Sequence, residues 1–324
     1  MEFFVLNRTY FSSAIFKILS KNDSGMGAGH QAGFLIPTEL RSFFPPLPEA
    51  TIENPAPSIL IDAILISDQT QPVRVITRWQ AQTWYNQRSP ETRLTGELEI
   101  IRKYSCEGDL LLIEKSEEDI YFQPPVYRMT LLSRGTQIFD EFLGGIGNKK
   151  WGFLSRWSHA VSEIQEESYF VREKSAAPFQ AFDDDSSYVR RGRRYKRARA
   201  FRNLVIEEYG GRCAICGCGL RLSSGATELE AAHVIPKFAK GVDDVRNGLA
   251  LCRTHHWAFD NWLIGILPNG ILRIAPIVST LPQNVSLLNY DGKHLFPPKN
   301  EQNAVHLDAI LWSERKFNEI WQRG

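Results

Sequence analysis

The chain has 324 residues, 43% hydrophobic and 23% charged, which excludes a disordered or fibrous protein and makes two domains the natural expectation. A formal net charge of +1 excludes a polyanion partner advertised by global charge, so any such signal has to be local. No apolar run approaches the roughly 18 residues of a membrane span. The opening MEFFVLNRTYFSSAIFKILSK lacks a basic leading segment and a small-residue cleavage site, and reads as structure rather than a signal peptide. The five cysteines are Cys106, Cys213, Cys216, Cys218 and Cys252. An odd count clustered late in the chain suits a reducing compartment and metal binding, so a cytoplasmic protein without a membrane partner is expected.

In chain order, the first unusual stretch is SKNDSGMGAGHQAGFLIP, residues 20–37. Its glycines invite a nucleotide-binding reading, but that motif opens a helix, and here FLIP leaves the glycines as a strand. What remains is a flexible loop tip or a recognition loop. Residues 58–135 hold SILIDAILIS, PVRVITRW, LEIIRKY, DLLLIEKS and VYRMTLLS, short runs rich in Val, Ile, Leu and Tyr and broken by turn formers. All five read as strands of a barrel or sandwich. Asn22, Asp23, Gly25, Gly29, His30, Gln31 and Gly33, with the later RLTGELEIIRKY and GDLLLI, resemble the signature of a B3-like DNA-recognition domain over residues 1–155. The resemblance implies a β pseudo-barrel that grips the major groove with two arms, here Lys21 to Gln31 and the region Arg78 to Arg93. In such arms Asn22 and Gln31 pair with adenine and Arg88 or Arg93 with guanine. Lys21 and Ser24 hold phosphate, and His30 sits on the same arm.

From about 136 to 172 the pattern turns helical; RWSHAVSEIQEESYFV spaces its apolar residues by three and four. Residues 156–194 form a helical and charged linker ending in the acidic DDDSS and the basic RRGRR. Eight Arg or Lys fall within the thirteen residues Arg190 to Arg202. They mark either a solvated helix start or a phosphate-contacting arm that includes Arg193, Arg194 and Lys196. The preceding acidic run would then occupy that arm when no nucleic acid is bound. FRNLVIEEY continues the helix to a stop at Gly210-Gly211.

Cys213-Ala-Ile-Cys216 and Cys252-Arg-Thr-His255 are two half-sites that can supply four soft ligands to one tetrahedral structural Zn²⁺. Cys218 competes for one ligand position or remains a free thiol. Between the half-sites lies LEAAHVIP, and His233, Asn247, His256 and Asp260 follow one another at intervals of 14, 9 and 4. CAIC, LEAAHVIP, NGLALC and HHWAFD resemble the HNH nuclease family, with its ββα-metal fold, from about residue 195. That resemblance implies His233 as the general base, Asn247 as the brace of the loop between two strands, and His256 as a ligand of a catalytic divalent ion such as Mg²⁺ or Mn²⁺. Asp260, one helical turn later, shares that ion or orients His256. Many members carry Asp or His immediately before the base; this chain has Ala232, and Glu230 is the nearest carboxylate, touching the ion or orienting a neighbour. His255 and His256, about 100° apart on a helix, then serve two different metals. FDNWLIGILPNGILRI, DGKHLFPP and ILWSERKF are similar to the extension of a restriction-associated HNH subgroup, with a small hairpin and a terminal helix.

The expected architecture is α+β: an N-terminal B3-like β pseudo-barrel (1–155), the basic linker (156–194) and a zinc-stabilised HNH domain with a C-terminal extension (195–324). The expected function is a restriction-type DNA endonuclease acting on double-stranded DNA at a specific sequence or at modified cytosine. One HNH site cuts one strand, so double-strand cleavage implies a homodimer or two encounters. The alternative is a non-cleaving, zinc-stabilised DNA-binding protein. Ala232 favours that alternative, whereas His233, Asn247 and His256 count against it because binding alone needs none of them.

Overall fold

The computed structural model describes residues 11–24, 33–82, 90–117, 124–155, 160–183 and 191–321. The chain divides into two compact units, 1–139 with 145–169, and 140–144 with 170–324. No helix among the described residues is long and apolar enough to cross a membrane.

The first unit is built on β1 (Phe11–Ile18), β2 (Phe34–Ile36), β3 (Ser58–Ser67), β4 (Thr70–Gln82), β5 (Glu91–Thr95), the short helix α1 (Glu99–Tyr104), β6 (Leu110–Ser116) and β7 (Val126–Leu132). The helix α2 (Gln137–Ile146) and the strand β8 (Trp151–Leu154) follow. The eight strands make one sheet in the order β2-β5-β4-β3-β7-β6-β1-β8. Neighbours are antiparallel except β3 and β7. Alternate residues point to one face, so Ile61, Ala63 and Leu65 of β3 join Leu111 and Ile113 of β6 and Tyr127, Met129 and Leu131 of β7 in one core. Phe44 closes that core, stacking on Trp79 and Tyr127 at 4.6 and 5.3 Å. Gly33, at φ +84°, is needed where β2 meets β5: a Cβ there would lie 1.8 Å from the Leu94 carbonyl oxygen.

One sequence expectation is corrected. LEIIRKY is a helix, not a strand: Leu98 at its N-cap, Ile101 and Tyr104, each three apart, pack into the core, a helical period that a short apolar run does not reveal by itself. The helix expected from RWSHAVSEIQEESYFV forms as α3 (Ala160–Ala176), and the strand β8 separates it from α2. Gly147, in the left-handed region at φ 64°, follows the end of α2. The opposite side of β6 and β7 holds a buried polar cluster with α3. Arg128 donates to both oxygens of Glu114 at 2.6 and 2.7 Å, and the Ser162 hydroxyl donates to Glu114 Oε2 at 2.5 Å. Glu114 is wholly buried, so each charge there has a partner that it could not replace with water.

The second unit carries α4 (Arg191–Glu208), the antiparallel pair β9 (Glu230–His233) and β10 (Gly248–Leu251), and α5 (Arg253–Asp260). A second hairpin, β11 (Ile264–Ile266) and β12 (Leu272–Ile274), and the terminal helix α6 (Leu307–Trp321) complete it. α4 packs its apolar side, Phe201 and Val205, close to Gly248 of β10. The Trp321 indole donates to the Trp262 carbonyl at 2.7 Å, tying α6 to the turn before β11.

Candidate active site and metal centres

Cys213 and Cys216 lie on a tight turn after α4, in which the Cys213 N–H donates to the Cys218 carbonyl at 2.7 Å and the Gly217 N–H to the Cys213 carbonyl at 2.8 Å. Cys252 caps α5 and His255 sits in its first turn, buried. The three sulfurs and one imidazole nitrogen all lie within 4.8 Å of one another. Cys213 Sγ and Cys252 Sγ are 3.5 and 3.1 Å from His255 Nδ1. In a tetrahedral zinc site with bonds of about 2.0–2.3 Å, ligand atoms stand about 3.5–3.8 Å apart, so this set can hold a metal ion such as zinc. Charge favours the same conclusion. Burial pushes the Cys216 and Cys252 thiols up. For Cys213 burial acts the same way, but the hydrogen bond with His255 and backbone donors from Cys216, Cys252 and Ile215 outweigh it and bring the thiol down to about 6. Three crowded thiols resist becoming three thiolates, and a soft dication removes that conflict. Cys218 is exposed, with its sulfur 3.7 Å from the Cys216 carbonyl oxygen; it is outside the converging set.

His233 ends β9. Its Nε2 is 2.8 Å from Asp243 Oδ1, and its ring stacks on Phe201 of α4 at 4.1 Å and 16°. Asp243 was not singled out from the sequence; an aspartate in a loop carries no signal until the fold folds that loop back on β9. A carboxylate only accepts, so Nε2 carries the proton of this bond, and in the neutral ring Nδ1 keeps the lone pair. Burial alone would push the Asp243 carboxyl up. The hydrogen bond from His233, the charges of Lys237 and His233, and that of Arg197 outweigh it and hold the group at about 2. Arg197 and Lys237 each lie 3.2 Å from Asp243 Oδ2.

Asn247 is fully buried at the foot of β10. Its Oδ1 accepts from the Ile235 N–H at 2.8 Å, and its Nδ2 donates to the carbonyls of Ile235 and Val242 at 3.1 and 2.9 Å. These three bonds join both legs of the β9–β10 loop.

His256 meets two carboxylates. Its Nδ1 is 2.6 Å from Glu230 Oε2 at the start of β9, and its Nε2 is 3.3 Å from Asp260 Oδ2 one turn further along α5. The three donors meet pairwise through the imidazole and do not converge mutually as the cysteine set does. An imidazole binds an ion through one nitrogen, so His256 Nε2 and the adjacent Asp260 carboxylate are the pair that can share a hard or borderline divalent ion, while Glu230 on Nδ1 fixes the ring. β9 thus presents Glu230 to α5 and His233 to α4, while Ala232 between them is buried and paired with Leu249.

Of the residues assigned to DNA contact, Lys21 and Asn22 are exposed in the turn after β1. Ser24 is buried and its hydroxyl donates to the Lys21 carbonyl at 3.0 Å. Arg93 is 4% exposed, with its guanidinium on Glu91 at 3.1–3.2 Å, so it lies within the sheet rather than on a protruding arm. Asp23 organises this turn. It is buried, pairs with Lys17 at 2.7 Å and accepts the Leu35 N–H at 2.9 Å. Burial pushes the Lys17 ammonium down, against the attraction of Asp23. On α4, Arg194 is exposed and Lys196 half-buried. Further along, Arg197, Arg199 and Arg202 are engaged internally, with Asp243, Glu141 and the Leu229 carbonyl. His30, Gln31, Arg88 and the Arg193 side chain lie outside the described residues.

Residues 213–267 match the family model described as HNH endonuclease. No curated protein matches the chain. Among solved structures the chain is similar to a modification-dependent restriction endonuclease, TagI, at 20% identity and a TM-score of 0.28, over 36% of this chain and 36% of that one. It is also similar to the B3 domain of the UbaLAI restriction endonuclease with cognate DNA, at 20% identity and a TM-score of 0.26, over 39% of this chain and 71% of that one. The chain therefore spans about a third of the length of the first of these relatives.

Proposed function

We propose that this chain is a DNA endonuclease of restriction type, in which a B3-like pseudo-barrel over residues 1–155 selects the duplex. A basic linker, 156–194, leads to a cutting domain, 195–324. The observation that carries the reading is the His233–Asp243 pair within the segment matched to the HNH endonuclease family. Asp243 fixes the tautomer and Phe201 fixes the plane of the ring, which leaves Nδ1 to take a proton from water. The water oxygen bonds to phosphorus, the ester P–O bond breaks, and the departing oxygen is protonated from solvent. His256 and Asp260 are the residues that would hold a divalent ion such as Mg²⁺ or Mn²⁺, with Glu230 orienting His256 through Nδ1. Bound there, the ion supplies positive charge for the departing oxygen. Asn247 holds the loop that carries Asp243, and Cys213, Cys216, Cys252 and His255 hold a structural zinc.

Recognition falls to Lys21 and Asn22, together with His30, Gln31 and Arg88, which are assigned from the sequence alone. Ser24 and Arg93 serve as supports of the reading loops. Arg193, Arg194 and Lys196 meet phosphates. Cleavage of both strands needs a homodimer or two encounters. The test is digestion of matched DNAs carrying plain, 5-methyl or 5-hydroxymethyl cytosine with Mg²⁺ or Mn²⁺ supplied, against His233→Ala. Cutting confined to a modified substrate assigns the first unit as a modification sensor, and cutting of plain DNA at a fixed site makes it a sequence reader. Binding without cutting of any substrate refutes the endonuclease.

A further inference from the structure

The loop between β9 and β10 carries a feature that hydrolysis does not use. Its tip is a tight turn in which the Ala239 N–H donates to the Pro236 carbonyl at 2.9 Å, Lys240 to Lys237 at 3.0 Å and Gly241 to Pro236 at 3.1 Å. Gly241 is obligatory, since a Cβ would lie 1.7 Å from the Ile235 carbonyl oxygen. Asn247 clamps the legs of this turn through Ile235 and Val242. At the apex Phe238 is 85% exposed.

A single exposed apolar side chain is ordinary, but three observations set this one apart. The backbone beneath it is hydrogen-bonded on both sides, so the ring is held outward on a stiff support. Its surroundings are cationic. Lys237 is shared between Asp183 and Asp243 at 3.2 Å each, Lys174 and Arg197 reach the same carboxylates, and Lys240 is exposed one step beyond the turn. Among the described residues, four cations stand against two carboxylates. A second exposed aromatic, Phe182, bridges to Gly241 of the same turn. Aromatic faces set among cations suit a nucleic-acid strand, with phosphates on the ammonium groups and a base on the ring.

We infer that Phe238 is a stacking platform for a nucleobase taken out of the helix, with Lys237 and Lys240 meeting the adjoining phosphates. Phe238 stands on the β9–β10 loop that also carries Asp243, the partner of His233, so the platform belongs to the loop of the cutting site. That last clause rests on the endonuclease reading; the stacking itself does not.

The test uses the full chain in a His233→Ala background and fluorescence anisotropy with two probes of about twenty nucleotides, an oligothymidylate and a blunt duplex. Phe238→Ala is expected to weaken binding of the single strand about 5- to 100-fold and of the duplex by less than about twofold, whereas Phe238→Trp retains both. An unchanged melting temperature excludes a folding defect, as the exposure of the ring leads one to expect. Equal loss on both probes, no change on either, or no binding of the single strand by the parent protein overturns the inference. Plasmid cleavage by the chain with His233 intact is scored separately. Absent cutting with Phe238-dependent strand binding retained removes the nuclease reading and leaves the platform. Cutting combined with strand binding indifferent to Phe238→Ala removes the platform alone.

Discussion

Replacing Asp243 with Asn keeps the shape of the side chain and removes the negative charge behind His233. The carboxyl is held at about 2 against an ordinary 3.8. That difference, about two pH units, corresponds to roughly 2 kcal/mol of folding stability at 1.36 kcal/mol per unit. The folded value lies below the unfolded one, so the contribution is complete above the ordinary carboxylate range and is lost as pH falls from about 4 through about 2. Asp243→Asn should therefore unfold in urea with a stability about 2 kcal/mol lower near neutral pH, and the gap should close as the wild type is acidified. The catalytic cost has a separate origin. An amide can turn its NH₂ towards Nε2, which moves the ring proton to Nδ1 and removes the lone pair that must take the proton from water. A misassigned tautomer behind a catalytic histidine costs up to about 10⁴-fold. Single-turnover nicking of supercoiled plasmid measures it, alongside circular dichroism to establish that the variant is folded. A folded Asp243→Asn protein that nicks within about threefold of wild type refutes the role of Asp243 and the choice of Nδ1 as the accepting atom.

Zinc analysis of the purified chain should find about one tightly held ion that Cys213→Ala and Cys252→Ala release. Chelation should lower the melting temperature; a metal-free chain of unchanged stability contradicts the site. Asn247→Ala removes three buried hydrogen bonds to the loop, at a cost of about 3 kcal/mol read by denaturant titration, with most nicking activity lost. In the first unit, Glu114→Gln removes the buried charge paired with Arg128 and should destabilise that unit by about 3–5 kcal/mol, whereas Arg74→Ala, whose partner Asp62 is reached from solvent, should cost less than about 1 kcal/mol. Comparable losses for the two would contradict the assignment of burial.

Local patterns that carry their own geometry were legible in the chain. Cys213-x-x-Cys216 and Cys252-x-x-His255 each place two donors one turn apart, so finding all four within 4.8 Å needed only the two half-sites to meet. The strand character of SILIDAILIS, DLLLIEKS and VYRMTLLS followed from short runs rich in Val, Ile, Leu and Tyr broken by turn formers, and the terminal helix from roughly helical apolar spacing. LEIIRKY failed because six residues do not distinguish a helical period from a strand. WGFL, the strand β8, was hidden inside a stretch whose flanks are helical. Arg93 read as an exposed arm because charge suggests solvent, yet β5 lies between β2 and β4 and its guanidinium is held on Glu91.

What the amino-acid sequence determined by itself was therefore the inventory: an α+β chain, a soft four-donor set, and a histidine, asparagine and histidine at informative spacing. Only the tertiary structure decided which charges act together. Asp183, Arg197, Lys237 and Asp243 are up to 60 positions apart and carry no shared motif. They meet because residues 182 and 183 bond to the β9–β10 loop at Gly241 and Lys240 and α4 packs beside it. The interaction of two charges falls off with their separation in space and is indifferent to their separation along the chain. The partner of His233 could therefore be found only once the loop had been folded back upon it.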